Sequence, residues 1–184
     1  MDELTQLIAA ARGGDRAASD RLFAAVYADL HRMAARQPHA EAGMATTSLV
    51  HEAYLKLARP EALDLKDRQH FYAVAARAMR QIAIDRVRER LAAKRGGGAA
   101  MTTLGAADGV AVDVDNAELL ALDAALERLA QAQPRLAQLV ELRFFGGMGL
   151  EEAGAAIGLS PTTLKRDWRR ARAFLHGAIG AMPG

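Results

Sequence analysis

The amino-acid sequence predicts an all-α protein of two small helical domains joined by a flexible linker. Apolar residues recur at intervals of three and four along most of the chain, which is the period of an amphipathic helix. Glycines at 96–98 interrupt this pattern, and large apolar side chains are scarce from there to about residue 116. We therefore expect a first domain over residues 1–95, a flexible acidic linker over 96–115 and a helix-turn-helix domain over 116–184.

The first domain is predicted to contain helices over about residues 4–11, 15–37, 49–58 and 69–94. Gly13-Gly14 separates the first two helices, because adjacent glycines weaken a helix. Pro38 and Pro60 end the next two, because the residue before a proline disfavours helical backbone. The last helical pattern is the longest and ends at the glycines that open the linker.

The linker departs from this helical pattern, and the second domain returns to it. Val110, Val112 and Val114 alternate with small or acidic residues, a pattern that is also compatible with a short strand. We favour an extended, mobile linker, because no partner strand is visible in the rest of the chain. Helices are then predicted over 117–132 and from Pro134 to about residue 145.

Composition excludes several classes of protein. The chain has 184 residues, a formal charge of +2 and no cysteine, so it has no disulfide framework and no thiolate metal site. Apolar runs fall short of the roughly 20 residues of a membrane-spanning helix, and the acidic N-terminus does not resemble a signal peptide, so we expect a cytoplasmic location. The histidines lack metal-ligand spacing, and no glycine-rich phosphate loop follows a strand. We therefore expect no metal, no cofactor and no enzymatic activity.

Positive charge is concentrated in two clusters, as expected for contacts with a nucleic-acid backbone at two sites. For either cluster alone, a solvated helix face would be the better explanation. The first cluster comprises Arg86, Arg88, Arg90, Lys94 and Arg95, and the second comprises Lys165, Arg166, Arg169, Arg170 and Arg172.

Residues 150–175 carry the strongest functional motif. A short helix, a glycine turn and a longer helix follow one another, which is the order of a helix-turn-helix. Gly154 is small where two helices must approach closely, and Gly158 suits a turn that needs a positive φ. Ser160 is a good N-cap, and Pro161 is favourable at the first helical position.

The second helix of this motif has two distinct faces at about 100° per residue. Asp167 lies at the border between them. The apolar face comprises Leu164, Trp168, Ala171, Phe174 and Leu175. The opposite face, which we call the basic arc, comprises Thr162, Lys165, Arg166, Arg169, Arg170 and Arg172. Such a helix can pack its apolar face on the domain and place the basic arc in the major groove of DNA.

Two stretches of the chain resemble sigma factors of bacterial RNA polymerase, in the order that the family has them. Residues 134–175, including Arg-Leu-Ala-Gln-Leu-Val-Glu-Leu-Arg-Phe-Phe at 135–145, resemble the promoter-recognising fourth domain. Residues 49–57, Leu-Val-His-Glu-Ala-Tyr-Leu-Lys-Leu, and residues 70–90 resemble the second domain. The third domain of larger sigma factors has no counterpart, as in the extracytoplasmic-function group. The resemblance implies a subunit that binds core RNA polymerase and directs it to promoters.

The resemblance also implies partners and residue roles. The partners would be promoter DNA and the polymerase core, through its large-subunit clamp helices and its flap. The clamp helices would be bound by Leu49, Val50, Glu52, Tyr54 and Lys56. Flipped bases of the minus-ten element would be captured by the loop from about Arg59 to Gln69 with His70, Phe71 and Tyr72. The adjacent phosphates would be held by Arg77, Arg80, Arg86 and Arg90. The basic arc would bind the minus-thirty-five element, and the linker would run toward the active-site and RNA-exit channels.

Two of these assignments have alternatives. Phe71 and Tyr72 would pack in a core if they did not contact DNA, and we expect this for at least one of them. Ala45, Thr46, Thr47 and Ser48 stand where sigma factors of this group usually carry acidic residues. A hydroxyl-rich N-cap is their expected structural role. A sharper hypothesis is that phosphorylation of Thr46, Thr47 or Ser48 supplies the missing charge, since a phosphate carries about −1.5 to −2 charges. A Ser/Thr kinase would then replace an anti-sigma factor as the regulator.

Two other functions compete with the sigma-factor interpretation. A stand-alone helix-turn-helix regulator would bind a palindromic operator as a dimer without polymerase. An adaptor that binds only proteins would not need a sorted basic arc.

Overall fold

A computed structural model describes residues 3–36, 46–57, 65–96 and 109–180, and every regular element in these ranges is an α-helix. The all-α prediction is confirmed. The helices are α1 (Glu3–Arg12), α2 (Arg16–Ala35), α3 (Thr46–Leu57), α4 (Arg68–Gly96), α5 (Gly109–Ala132), α6 (Pro134–Phe144), α7 (Leu150–Ala156) and α8 (Pro161–Gly180).

The start of the chain folds as its turn residues predict. Gly14 has a φ of 88° between α1 and α2, a backbone conformation that glycine adopts at little cost. Asp15 then caps α2, where its Oδ1 accepts a hydrogen bond from the Ala18 N–H at 3.0 Å. The cap fixes the direction in which α2 leaves the turn, so that α1 and α2 pack against each other.

The first apolar core is built around α2, α3 and α4. Leu30, Val50, Phe71 and Met79 are fully buried in it. Residues of the C-terminal half, from α6 to α8, belong to the same core: Leu139, Leu142, Met148, Ala153 and Leu164. The two predicted domains therefore do not have separate cores in this structure. We call this packing of residues 3–96 on residues 109–180 the closed arrangement.

A second apolar core joins the later part of α4 to α5, α6 and α8. Ile84 and Val87 of α4 meet Leu126 and Leu129 of α5 and Ala171 of α8 in this core. Trp168, the one tryptophan of the chain, is half-buried and packs against both cores. The long helix α4 thus contributes to both cores and connects the two halves.

The predicted linker is shorter than residues 96–115. Residues 109–115 are helical and form the start of α5, so the valine alternation at 110–114 belongs to neither a strand nor an extended segment. Extending an existing helix adds one hydrogen bond per residue without a new nucleation cost, whereas a single strand without a partner is unstable. Residues 97–108 lie outside the described residues, and a flexible linker there stays a prediction.

Neither a membrane-spanning helix nor a metal-binding cluster is found among the described residues. None of the helices found there is long and apolar enough to cross a membrane. The same residues contain no group of three or more histidine, aspartate or glutamate side chains that could hold a metal ion.

Candidate DNA and polymerase interface

The helix-turn-helix forms where the motif predicts it. Gly154 faces Leu164, and a Cβ added at Gly154 would lie 2.6 Å from Leu164 Cδ2, so α7 and α8 are in closest contact here. Gly158 has a φ of 71° in the turn. Ser160 caps α8, because its Oγ accepts a hydrogen bond from the Thr163 N–H at 3.3 Å. These three predictions from turn chemistry are confirmed.

The faces of α8 are sorted between core and solvent. Leu164, Ala171 and Leu175 are buried, and Trp168 and Phe174 are half-buried. All side chains of the basic arc are exposed: Thr162, Lys165, Arg166, Arg169, Arg170 and Arg172. The arrangement leaves a continuous positive surface on a helix that is fixed to the molecule by its opposite face.

Asp167 lies beneath this positive surface with its side chain 0% exposed. Its Oδ2 is 2.7 Å from Nη2 of Arg135, near the start of α6, and its Oδ1 accepts from Arg166 Nε at 3.4 Å. Arg135 is therefore held beside the basic arc. The sequence carries no signal for Arg135, because 32 positions separate it from Asp167 and no local pattern links the two residues.

The aromatic residues predicted to bind the minus-ten element are both buried. Phe71 is in the first core, and Tyr72 donates its hydroxyl proton to Asp29 Oδ2 at 2.9 Å. Core packing, expected for at least one of them, holds for both in the closed arrangement. His70 is half-buried at the start of α4, where its backbone N–H donates to Asp67 Oδ1 at 2.8 Å. Residues 58–64, most of the loop predicted to capture bases, lie outside the described residues.

The arginines predicted to hold phosphates have different environments. Arg77 and Arg86 are exposed, and Arg86 forms an ion pair with Glu52 of α3. Arg90 is half-buried. Arg80 is only 4% exposed, so the prediction that it contacts DNA needs correction for the closed arrangement. The side chains of Lys94 and Arg95, in the first basic cluster, lie outside the described residues.

Arg80 is surrounded by acidic residues of the C-terminal half. Its Nη1 donates to Glu141 Oε1 at 2.7 Å, its Nε donates to Asp123 Oδ1 at 2.8 Å, and its Nη2 donates to Glu127 Oε1 at 2.8 Å. Burial by itself would lower the pKa of Arg80, but the hydrogen bonds and charges of Glu141 and Asp123 raise this pKa above its ordinary value. The guanidinium is therefore held in its charged form between the halves. We call these four residues the Arg80 cluster.

The predicted polymerase-binding helix α3 turns a different face outward than expected. Leu49 and Val50 are buried in the first core, where they pack α3 against the rest of the molecule. The prediction that they contact polymerase therefore needs correction. The period of the helix places these two residues on the apolar face, and tertiary packing covers that face. Glu52 and Lys56 are half-buried; Lys56 Nζ lies 3.8 Å from Asp85 of α4.

An exposed apolar surface on α2 and α3 was missed by the sequence analysis. Leu55 is 53% exposed and Phe23 is 49% exposed, and the ring of Phe23 meets the ring of Tyr54 edge-on with centroids 4.8 Å apart. Phe23 fits the apolar period of α2, which predicts a core position for it. It lies only about 20° around the helix from the fully buried Leu30, so the helical period gives no signal of its exposure.

The hydroxyl residues before Leu49 are helical. α3 begins at Thr46, and Thr47 and Ser48 are exposed in its first turn. The side chains of Thr47 and Ser48 therefore lie within the first turn and do not form the predicted N-cap; Ala45 lies outside the described residues.

Comparison with known proteins identifies the family. A family model described as ECF sigma factor matches residues 1–180, which include both halves of the structure and the complete helix-turn-helix. No curated protein and no solved structure matches the chain. ECF sigma factors are DNA-binding subunits that direct core RNA polymerase to promoters for the initiation of transcription. With all but the last four of its 184 residues covered by this match, the chain belongs to the ECF sigma factor family.

Proposed function

We propose that the basic arc of α8 binds the minus-thirty-five element of the promoter in the major groove. The observation that carries this proposal is the sorting of α8, whose apolar face is buried while every side chain of the basic arc is exposed. Thr162, Lys165 and Arg166 lie in the first turns of the helix, and it is the N-terminal residues of a recognition helix that reach base edges. Arg170 and Arg172 lie farther along and are assigned to phosphates.

The assignment of base contacts to the first turns of α8 and of phosphate contacts to its later residues can be tested with single substitutions. Arg166→Ala should cost about 1–3 kcal/mol of binding free energy and relax the sequence preference at one position, because arginine can bind a guanine edge bidentately. Arg172→Ala should weaken binding evenly across sequences and reduce the salt slope by about 1, because it removes one phosphate contact. The measurement is DNA binding by the polymerase–sigma complex at several salt concentrations. Arg16→Ala, an exposed arginine of α2, is the charge-matched control. Equal sequence preference in all variants would contradict the assignment of Arg166.

We further propose that Phe23, Tyr54 and Leu55 form the surface that docks on the clamp helices of polymerase. Phe23 and Tyr54 are in contact, and Leu55 follows Tyr54 in the chain. Exposed large apolar side chains are typical of protein interfaces. Leu55→Asp should weaken binding to core enzyme at least about tenfold, since it places a charge in an apolar contact. Ala28→Asp is the control, because Ala28 is exposed on α2 about 140° around the helix from Phe23. Binding is measured by fluorescence anisotropy with core polymerase, and equal affinities for both variants would reject this surface.

For the minus-ten element, we assign phosphate contacts to the exposed Arg77 and Arg86 and a base contact to His70. Phe71 and Tyr72 are buried, so they could reach flipped bases only after the residues that pack over the start of α4 have moved away. Permanganate footprinting of promoter opening by Arg77→Ala tests this assignment; unchanged opening would remove Arg77 from the site.

Phosphorylation is proposed as the source of negative charge at the start of α3. Thr47 and Ser48 are exposed in the first turn, where a phosphate is stabilised by the free N–H groups of the helix. Thr46 begins the same turn. Thr47→Glu should bind core polymerase more tightly than Thr47→Ala. The hypothesis of kinase control would be rejected by equal affinities of the two variants together with no phosphate at residues 46–48 in mass spectrometry of protein from cells. Regulation by an anti-sigma factor would then be the better explanation.

The overall test is run-off transcription by core polymerase with the purified chain on genomic fragments. Start sites with a shared upstream sequence are expected. A chain that binds a palindromic operator tightly without polymerase would instead support a stand-alone regulator.

A further inference from the structure

The closed arrangement places the helix-turn-helix over the start of α4. A cleft of about 510 Å³ lies between them, lined on one side by Gln69 and Tyr72 and on the other by Met148 and Glu152. A Cβ added at Gly158, in the turn before α8, would lie 3.2 Å from Gln69 Nε2. The half assigned to the minus-thirty-five element thus lies against Gln69 and Tyr72 at the start of α4, whereas Arg77 and Arg86 stay exposed.

Polar contacts between the halves supplement the shared apolar core. Arg36, which follows the last residue of α2, donates to Glu152 of α7 at 3.1 Å, and both side chains are about half exposed. Arg88 of α4 lies 3.4 Å from Asp123 of α5. The Arg80 cluster contains the buried members of this set, with side-chain exposures of 5% for Arg80, 16% for Asp123 and 11% for Glu141, whereas Glu127 is 63% exposed.

A closed molecule is too small to occupy both promoter elements. The elements are centred about 25 base pairs apart, which corresponds to about 85 Å of duplex at 3.4 Å per base pair. A compact chain of this length has a radius of gyration of about 16 Å and a diameter of about 40 Å. The two halves must therefore separate before the chain can contact both elements.

From these observations we propose that the Arg80 cluster is an intramolecular lock that keeps the free sigma factor closed, with Tyr72 and Arg80 of α4 covered, until core polymerase separates the halves. The inference rests on the proposed function, because it uses the assignment of α4 and α8 to two promoter elements. Breaking one partner of a buried ion pair leaves the other charges buried and unpaired, whereas two separated halves return them to water. Arg80 would then become free on α4 to contact DNA, as the sequence analysis expected.

The first experiment measures the distance between the halves in the full chain. Because the sequence has no cysteine, Ala24→Cys on α2 and Ala173→Cys on α8, both exposed, can carry a donor and an acceptor dye without background labelling. Single-molecule energy transfer should show mostly closed molecules, and core polymerase should shift them to low transfer. Arg80→Ala should raise the ratio of open to closed molecules by about a hundredfold. Arg128→Ala, an exposed arginine of α5, should leave this ratio unchanged.

Failure to fold is controlled in two ways. Far-UV circular dichroism checks the helix content of Arg80→Ala, and Asp123→Asn/Glu141→Gln weakens the cluster from the other side without changing side-chain shape. If folded variants stay as closed as the wild type, or if the wild-type chain is already open without polymerase, the proposal is overturned.

The second experiment tests the consequence for transcription. Arg36→Cys/Glu152→Cys joined by a short, reducible bismaleimide should hold the closed arrangement, since these exposed side chains are in contact. The cross-linked protein should lose promoter opening with core polymerase and regain it on reduction. Full transcription by the cross-linked protein overturns the lock while leaving the proposed function intact. No transcription before cross-linking would instead count against the proposed function.

Discussion

The carboxylate of Asp167 balances positive charge within the recognition helix. It is fully buried between the apolar face and the basic arc, and it contacts Arg135 and Arg166. An exposed acidic residue at this position would repel the DNA phosphates that the basic arc is proposed to bind. Buried beneath two arginines, it holds them in place, and its own charge is neutralised.

Asp167→Asn should therefore affect stability and DNA binding in opposite directions. The free energy of unfolding should fall by about 1–3 kcal/mol, because a buried group loses its charged partners. Non-specific DNA affinity at low salt should rise, because Arg135 and Arg166 are released and the site gains one net positive charge. Thermal unfolding and salt-dependent DNA binding measure the two effects. Glu118→Gln, an exposed acid of α5, is the matched control; identical behaviour of both variants would contradict a positioning role.

Residue environments were predictable where local sequence determines them. The border position of Asp167 followed from the helical period, and Ser160 and Gly158 followed from turn chemistry. Arg80 could not be placed, because its carboxylate partners lie more than 40 positions away in the chain. An arginine on a basic helix has the same local pattern whether it faces DNA or acidic residues of another helix.

At the scale of elements, the close contact between α7 and α8 depends on glycine at position 154, which has no side chain. Gly154 is buried against Leu164, with no room for a Cβ at the present spacing. α8 is thereby held close to α7, and its basic arc keeps a fixed direction relative to the rest of the domain.

Gly154→Val should destabilise the protein by about 1–3 kcal/mol, because overpacking forces the two helices apart. Gly177→Ala in α8 should have the opposite effect, raising stability by about 0.5–1 kcal/mol, since a Cβ there meets nothing within 4 Å and alanine favours a helix. Denaturant unfolding monitored by circular dichroism compares the pair. Equal stability of the two variants would show that the contact at Gly154 is not tight in solution.

The positions of the helices followed from the sequence more closely than their ends. The pattern over 69–94 matches α4, and Pro134 and Pro161 begin α6 and α8 as expected. The start of α5 was missed, because glycine at 109 and alternating valines favour other structures locally. The growth of a helix from an already packed segment overrides such weak preferences.

At the scale of the whole molecule, the two halves are expected to unfold together. Leu139 of α6 is fully buried in the first core, most of which comes from α2, α3 and α4. Leu139→Ala should lower the free energy of unfolding by about 2–5 kcal/mol, because it leaves a cavity. Hydrogen exchange should then accelerate in α4 as well as in α6. Faster exchange confined to the C-terminal half would show that the halves are independent in solution.

The closed arrangement itself could not be predicted from the sequence. Helical periods show that Leu139 and Leu164 are apolar positions, but many partner surfaces would cover them equally well. The family resemblance implies two domains that act at separate promoter elements. In this structure the helices of both halves pack into shared cores.

Trp168 gives the molecule a built-in optical probe. It lies where the two cores meet, next to the helix face that is assigned to DNA, and no other indole contributes to the signal. Its emission maximum should move to longer wavelength when water enters between the halves. Unlabelled protein can therefore be followed in a stopped-flow instrument, and the rate at which polymerase engages it can be timed against the rate at which the promoter melts.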